Sequence, residues 1–564
     1  MLVSLLVLLC FLLPFSFRTF DDNRLTSWEW VFDGANVVRM VFLLLGGISL
    51  AYLLSRSPLP ERAPSLFLFM AAFGSASLFR GEPEAIVDAS RYFTQAKYLS
   101  VYGVGSFLSE WGKALPAWTD MPLIPFLYGL IFSLFGEERG VLQIFTTTLF
   151  SLTVVLIYRT GKELWDEEVG VYAGTSFLGI PYLFTQVPLM MVDVPSTFFL
   201  LLSVFTLLKG IRCGGKWVPL AAFAALFAFL SKYSLWMMLS VLGIAGAVLV
   251  QQGRATGEGK ERLHRLLSVF LLFALLAGGS VLLKSGVVAD QLRLLSLYQK
   301  PGLKRWGESY LSTFFFQIHP FVTLAAAGSV FAALRKKDLT YLIVVWLIAL
   351  LFLLQIKRIR YSLPAFPMFA LMASYGLREI RDKGLRKFTA LCIMICSLVI
   401  ALFAYRPFMQ SISSVNLKNA GEFLDTIQGK ECEVFVLPYG DPVLNPAVSV
   451  PLLDLYTRKE IRFEPLPGPQ PPPEIRTVSP LRFTWEYRNP PYYSRPRPRG
   501  HTPKGADHPV PVAVISEHPV KELPAFIRER VKGLSAVRSF TVSDDIFLHQ
   551  TVVTVYYRQG TGNQ

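Results

Sequence analysis

Charge is what this 564-residue chain lacks: 17% of its residues are charged, against about 25% in an ordinary soluble domain. Hydrophobic residues make up 52%, and they come in repeated long runs. That pattern argues against a soluble globular protein and for a polytopic membrane protein. Cysteine is scarce too. Cys10, Cys213, Cys392, Cys396 and Cys432 show no CxxC or Cys/His spacing, so no zinc site or disulfide framework is indicated. A phosphate-binding glycine loop is also missing. "GRATGEGKER", from Gly253 to Arg262, has the wrong glycine spacing and no Ser or Thr after Lys260. The net charge of +15 would suit nucleic acid, but the basic residues sit in short connections between apolar runs. That is the positive-inside pattern of a membrane protein, so no nucleic-acid partner is expected. The stretch Met1 to Phe20 has no basic n-region and no small-residue cleavage site before Arg18. It is expected to stay as a first span.

What is present is a ladder of about thirteen apolar runs of spanning length, from Met1–Phe17 to Phe388–Ala404. A further run, Pro122 to Phe135, is shorter and led by Pro122 and Pro125. As a full span it would put Asp88 and Asp193 on opposite faces, so it is read as a helix lying in or dipping into the outer interface. The basic connections Lys209–Lys216, Arg254–Arg265, Arg335–Asp338 and Arg378–Lys387 alternate correctly to share the cytoplasmic side. The opposite side then holds Gly81–Asp120, the turn at Asp193, Lys284–Gln317, Gln355–Tyr361 and everything after Tyr405. The expected fold is an α-helical polytopic membrane unit over residues 1–404 and an extracytoplasmic soluble α/β domain over 405–564. Within that domain, "NLKNAGEFLDTIQ" reads as an amphipathic helix. "CEVFVLP", "VPVAVIS" and "FLHQTVVTVYY" read as strands. Pro465 to Pro503, with twelve prolines, reads as an extended insertion.

Four stretches carry chemistry. "EAIVDASRYFTQAKYL" places Asp88, Tyr92, Ala96 and Leu99 on one helical face just past a span end, with Glu84 one turn earlier as a rival acid. The bland alternative is a solvated interfacial helix whose acids balance Arg80 and Arg91. "WTDMPLIPFLYGLIFSLFG" puts Asp120 before the proline-led helix, where a plain N-cap is the competing role. "QVPLMMVDVPSTFFLLL" sets Asp193 between two apolar runs, and acids placed there are costly and usually functional. "LQIKRIRYSLPAFP" puts Lys357, Arg358 and Arg360, followed by Tyr361, on the non-cytoplasmic side against the charge trend. An anionic partner such as a lipid phosphate would explain them, and so would snorkelling to headgroups. Lys232 lies between two spans on the same side, where it can touch a phosphate or snorkel.

Taken in order, these stretches resemble the GT-C superfamily of membrane glycosyltransferases, in particular the family 39 group of protein mannosyltransferases and aminoarabinose transferases. That group's first external loop reads Asp-Glu-Ala-x-Tyr-x-x-x-Ala-x-x-Leu. Asp88, Tyr92, Ala96 and Leu99 match it, with Ala89 in place of the second acid. Met121-Pro122-Leu123 through Leu134-Phe135-Gly136 resembles the group's proline-led helix, Asp193-Val194-Pro195 its second acid, and "RYSLPAFP" its later Arg-Tyr-x-x-Pro-x-x-Pro. The resemblance covers Glu82 to Gly376 and makes residues 80–138 a catalytic external loop. It implies transfer of a sugar from a polyprenyl-phosphate donor to an extracytoplasmic lipid, glycan or protein, with inversion, in the cell (inner) membrane. It assigns Asp88 as general base and Asp193 as the second acid. Tyr92, Asp120, Glu84, Lys232, Lys357, Arg358, Arg360 and Tyr361 remain substrate-binding candidates. A divalent metal stays open. The competing readings are a transporter or flippase of a lipid-linked sugar, which needs no catalytic acid, and a scaffold acting through its C-terminal domain.

Overall fold

The computed structural model describes residues 1–58, 62–299, 307–437, 444–463, 510–544 and 550–559. The insertion expected over Pro465–Pro503 lies outside the described residues. Uninterrupted apolar runs form helices wherever no proline or glycine breaks them. In chain order the main helices begin with α1 (Leu2–Ser16), α2 (Val37–Ser55), α3 (Pro64–Ser77), α4 (Ala89–Glu110), α5 (Leu123–Phe135), α6 (Arg139–Leu164) and α7 (Glu167–Leu178). Next come α8 (Asp193–Cys213), α9 (Trp217–Ser231), α10 (Leu235–Ala255), α11 (Gly259–Leu283) and α12 (Ser285–Leu294). They are followed by α13 (Pro320–Lys336), α14 (Tyr341–Leu353), α15 (Phe366–Leu377) and α16 (Lys383–Ser411). Among the described residues six helices, α2, α6, α8, α10, α11 and α16, are long and apolar enough to cross a membrane. Five more, α1, α3, α5, α9 and α14, are apolar but shorter. The protein is membrane-integral. The apolar run Val169–Val187, one of the thirteen, does not form a single helix: α7 ends at Leu178, and a separate short helix starts at Pro181, where proline suits a first turn.

The two ends of the bundle differ. At one end Arg212, late in α8, bonds the Glu163 carboxylate near the end of α6 at 2.8 Å. The other end collects the start of α6, the start of α8 and the end of α9. Both ends of α5 lie there too: Asp120 just ahead of it pairs with Arg91 of α4, and Glu137 just after it pairs with Lys97 of α4. So α5 returns to the end it started from, packed along α4 with Gly129 against Ala96 and Leu99. Of the helical face predicted from Asp88 to Leu99, Ala96 and Leu99 pack here, whereas Asp88 and Tyr92 line a cleft.

The last part of the chain forms α17 (Val415–Thr426), α18 (Pro446–Asp454) and α19 (Ala525–Val531) around strands β1 (Glu431–Leu437), β2 (Glu460–Phe463), β3 (Val512–Ser516), β4 (Ala536–Phe540) and β5 (Val552–Tyr557). The sheet order is β2-β1-β3-β5-β4. β1 runs parallel to β2 and β3, with Phe435 opposite Val514. β5 is antiparallel to both β3 and β4. The central strand β3 is buried along its whole length, which is why it reads as an unbroken apolar run rather than an alternating one. This unit sits on the Asp88 end of the bundle. Lys97 of α4 pairs with Asp454 of α18 at 2.5 Å, the Glu84 N–H donates to the Tyr456 hydroxyl at 2.6 Å, and Arg458 pairs with Glu138.

Close packing at one crossing supplies a test. α13 and α15 pack along each other, and a Cβ on Gly376 would fall well inside contact distance of the Ala325 carbonyl. Gly376→Ala must push the helices apart, costing about 1–3 kcal/mol by the usual scale of overpacking. The thermal midpoint of the detergent-solubilised variant is expected to drop by several degrees. An unchanged midpoint would show that this crossing is not tight.

Candidate active site

Four chain segments meet at the Asp88 end. The loop after α3 ends at Asp88, which occupies the N-cap position of α4 but makes no side-chain cap. Its carboxylate turns instead to two guanidinium groups. Arg91 Nη1 lies 3.2 Å from Asp88 Oδ1, and Arg360 Nη1 donates to Asp88 Oδ2 at 2.7 Å. Arg360 comes from the short helix Ile359–Ser362, and its Nε donates to Asp193 Oδ2 at 3.1 Å. Asp193 opens α8 with its side chain 0% exposed and takes a second bond, 2.6 Å long, from Lys232 Nζ. On the other flank Arg91 grips both Asp120 oxygens at 3.2 Å, and Gln95 adds a third bond to that carboxylate.

The result is an unbroken line of alternating charge, Asp120–Arg91–Asp88–Arg360–Asp193–Lys232. It borders a small, partly open cleft whose lining also includes Tyr92, Tyr233 and Tyr361. Charges this far from bulk water persist only when paired, and here every acid has a cation on it. That set of partners holds arginine and lysine in place, and among the described residues no group of three His, Cys, Asp or Glu side chains is placed to hold a metal ion. Asp88 is the most open acid of the line, with 24% of its side chain exposed, against 4% for Asp120 and 0% for Asp193. Burial alone would raise its carboxyl, but Arg91 and Arg360 outweigh that and hold it well below the usual carboxylate range.

The structure brings Asp88, Tyr92, Asp120, Lys232, Arg360 and Tyr361 to the cleft, with Asp193 paired to Lys232 and Arg360 behind them. Asp120 is no N-cap, since Pro122 holds that position of α5. Of the three clustered cations, Arg360 bonds Asp88 and Asp193 directly. Arg358 turns to Glu308 at 3.8 Å and lies over the Tyr361 ring, and Lys357 is exposed. Glu84 stands outside the cleft in a node of its own. Its carboxylate takes Arg139 Nε at 2.9 Å and the Met190 N–H at 3.0 Å. Burial raises its carboxyl against the pull of Arg139 and that N–H. Arg91 was not among the site candidates read from the sequence, although its i+3 spacing from Asp88 was visible. Glu308, Arg139 and Tyr456 left no local sign, because their partners are distant in sequence.

Residues 119–278 match the family model described as Dolichyl-phosphate-mannose-protein mannosyltransferase. The matched stretch contains Asp120, Asp193 and Lys232. No curated protein sequence matches the chain. Among solved structures, ArnT from Cupriavidus metallidurans bound to undecaprenyl phosphate is similar over 89% of this chain and 100% of its own, with TM-score 0.51 and 13% identity. The same protein in the apo state covers 89% of this chain and 98% of its own, with TM-score 0.50 and 14% identity.

The Glu84 node supports the site from behind. Glu84→Gln keeps an acceptor for the Met190 N–H but leaves the Arg139 guanidinium without its counter-charge. Breaking a buried pair from one side costs about 3–5 kcal/mol. The thermal midpoint is expected to fall, and Glu84→Met with Arg139→Met should recover part of the loss. A Glu84→Gln protein as stable as wild type would show that the node does not hold the fold.

Proposed function

We propose that this chain, a membrane glycosyltransferase with the GT-C fold, moves a sugar from a polyprenyl-phosphate donor to an acceptor outside the cytoplasm. One observation carries the reading: the most exposed acid in the cleft lies 2.7 Å from Arg360, which with Lys232 forms the cation pair suited to a phosphate. Displacing a polyprenyl phosphate from an anomeric carbon makes two demands. The acceptor hydroxyl must lose its proton, and the departing phosphate must be stabilised. Asp88 takes the proton. The acceptor oxygen bonds to the anomeric carbon as the carbon–oxygen bond to phosphate breaks, and the electron pair leaves with the phosphate oxygen. Arg360 and Lys232 hold that phosphate, and the single displacement inverts the centre. Asp193, fully enclosed, fixes both cations and is a positioning residue. Tyr92, Tyr233 and Tyr361 offer hydroxyls and ring faces to the sugar. A transporter or flippase of a lipid-linked sugar would need Asp88 only as the counter-charge of Arg91 and Arg360, not as a base, so retained transfer by Asp88→Asn would favour that reading.

The same reading places residues 1–404 in the cell membrane and assigns 80–138 to the catalytic loop. It puts the 405–564 unit outside the cytoplasm, together with the Lys357–Arg360 cations. The far end, with Lys209–Lys216, is then cytoplasmic. Acceptor chemistry is open among lipid, glycan and protein.

Asp88→Asn keeps the size of the side chain and removes the base. Transfer of radiolabelled sugar from the polyprenyl-phosphate donor is expected to fall about 10²–10⁴-fold with the protein still folded. Full activity in that variant would end the base assignment. Arg360→Ala is expected to weaken donor binding about ten- to a hundredfold, the worth of a charged hydrogen bond. Orientation is testable on its own. Cys213 is exposed at the far end and should escape an impermeant maleimide in intact cells, whereas Lys532→Cys should react. Labelling at Cys213 with none at position 532 would reverse the topology, and equal labelling would overturn the predicted orientation.

A further inference from the structure

The line of charges across the cleft is balanced, acid for cation, before any donor arrives. An incoming phosphate therefore finds no idle positive charge in it. It has to take a cation from an acid. Which one it takes follows from burial. Asp193 is closed on all sides and held by both Arg360 and Lys232, whereas Asp88 has a quarter of its side chain open to the cleft. Desolvated pairs are expensive to break and open ones are cheap. Arg360 can keep its Nε on Asp193 as a hinge and turn its Nη1 from Asp88 to the phosphate. While Arg360 stays on Asp88, that carboxylate is a weak proton acceptor, because two guanidinium groups favour its ionised form. A base in that state is poorly matched to deprotonating a hydroxyl.

Resting on the donor reading above, we propose that the donor phosphate and Asp88 compete for Arg360, so that phosphate binding is the event that releases Asp88 to act as base. The consequence is an ordered reaction: donor first, then an active base, then the acceptor. Before donor binding the cleft holds its own acid in check. The idea separates Asp88 from the other acids of the line. Asp120 is tied to Arg91 and has no bond to Arg360, so its loss should not free the phosphate-binding group.

The test measures binding of undecaprenyl phosphate to the purified full-length chain in nanodiscs. Asp88→Asn should bind it about two- to fivefold more tightly than wild type, the scale of a partly exposed ion pair. Removing any negative charge nearby also reduces repulsion, so the decisive comparison is a double-mutant cycle. In an Arg360→Ala background the gain from Asp88→Asn should vanish, and Asp120→Asn should give little gain in either background. If the Asn variant does not fold, Asp88→Ser replaces it. Unchanged or weaker binding by the Asp88 variants overturns the competition. So does a gain that persists without Arg360. Those results leave the donor reading standing, provided Arg360→Ala weakens wild-type binding. No binding by wild type, or binding indifferent to Arg360→Ala, overturns the donor reading and the competition with it.

Discussion

One guanidinium group joins carboxylates that are 272 and 167 residues away along the chain. Arg360 can do this only if the loop before α4, the start of α8 and the Ile359–Ser362 turn arrive at one point together. Each of these charges would be prohibitive alone in so dry a place. Together they neutralise one another, so the ion pairs act as a closure condition on the whole bundle. If α8 rotated by one residue, Lys232 would lose its carboxylate and Arg360 would keep only Asp88.

The turn that delivers Asp193 is fastened with care. The carbonyl of Val187 accepts from Thr146, and that of Pro188 from both Arg139 and Gln143. The Met190 N–H goes to Glu84, and the Met191 carbonyl accepts from Tyr128. Irregular backbone at this depth survives only where its polar groups are met internally. α5 and α6 provide the donors, and the segment just before Asp88 provides the acceptor. Glu84 therefore ties together the two segments that carry Asp88 and Asp193. The C-terminal unit closes the same node, since Tyr456 accepts the Glu84 N–H and its ring faces Arg139. A domain with no described side chain in the lining of the cleft still fixes the backbone four residues ahead of Asp88.

The cation cluster at 357–360 shows how tertiary structure sorts chemically equivalent residues. Three basic side chains in four positions look alike in sequence. The short helix starting at Ile359 sends Arg360 inward to the acids, Arg358 sideways to Glu308, and Lys357 out to solvent. Asp120 is the converse case. Its place before a proline-led helix suggests a cap, yet the N-cap is Pro122, two residues later, and the carboxylate serves Arg91.

Much of this protein could be read from the chain alone. Apolar runs dictate helices because backbone polar groups in lipid have no other way to be satisfied. Their Lys/Arg-rich connections divide the loops into two sets, and an unbroken apolar strand such as β3 signals burial on both faces. Asp88 and Asp193 stood out because acids beside apolar runs are costly and need a reason. The helical register from Asp88 to Leu99 was legible because 3.6-residue periodicity is local. What the sequence could not decide was pairing. Whether Lys232 snorkels or binds Asp193, which arginine reaches the acids, and whether Glu84 or Asp88 faces the cleft all depend on contacts between residues 39 to 272 positions apart. Only the folded bundle sets those distances, and Coulomb energy depends on distance in space, not separation along the chain.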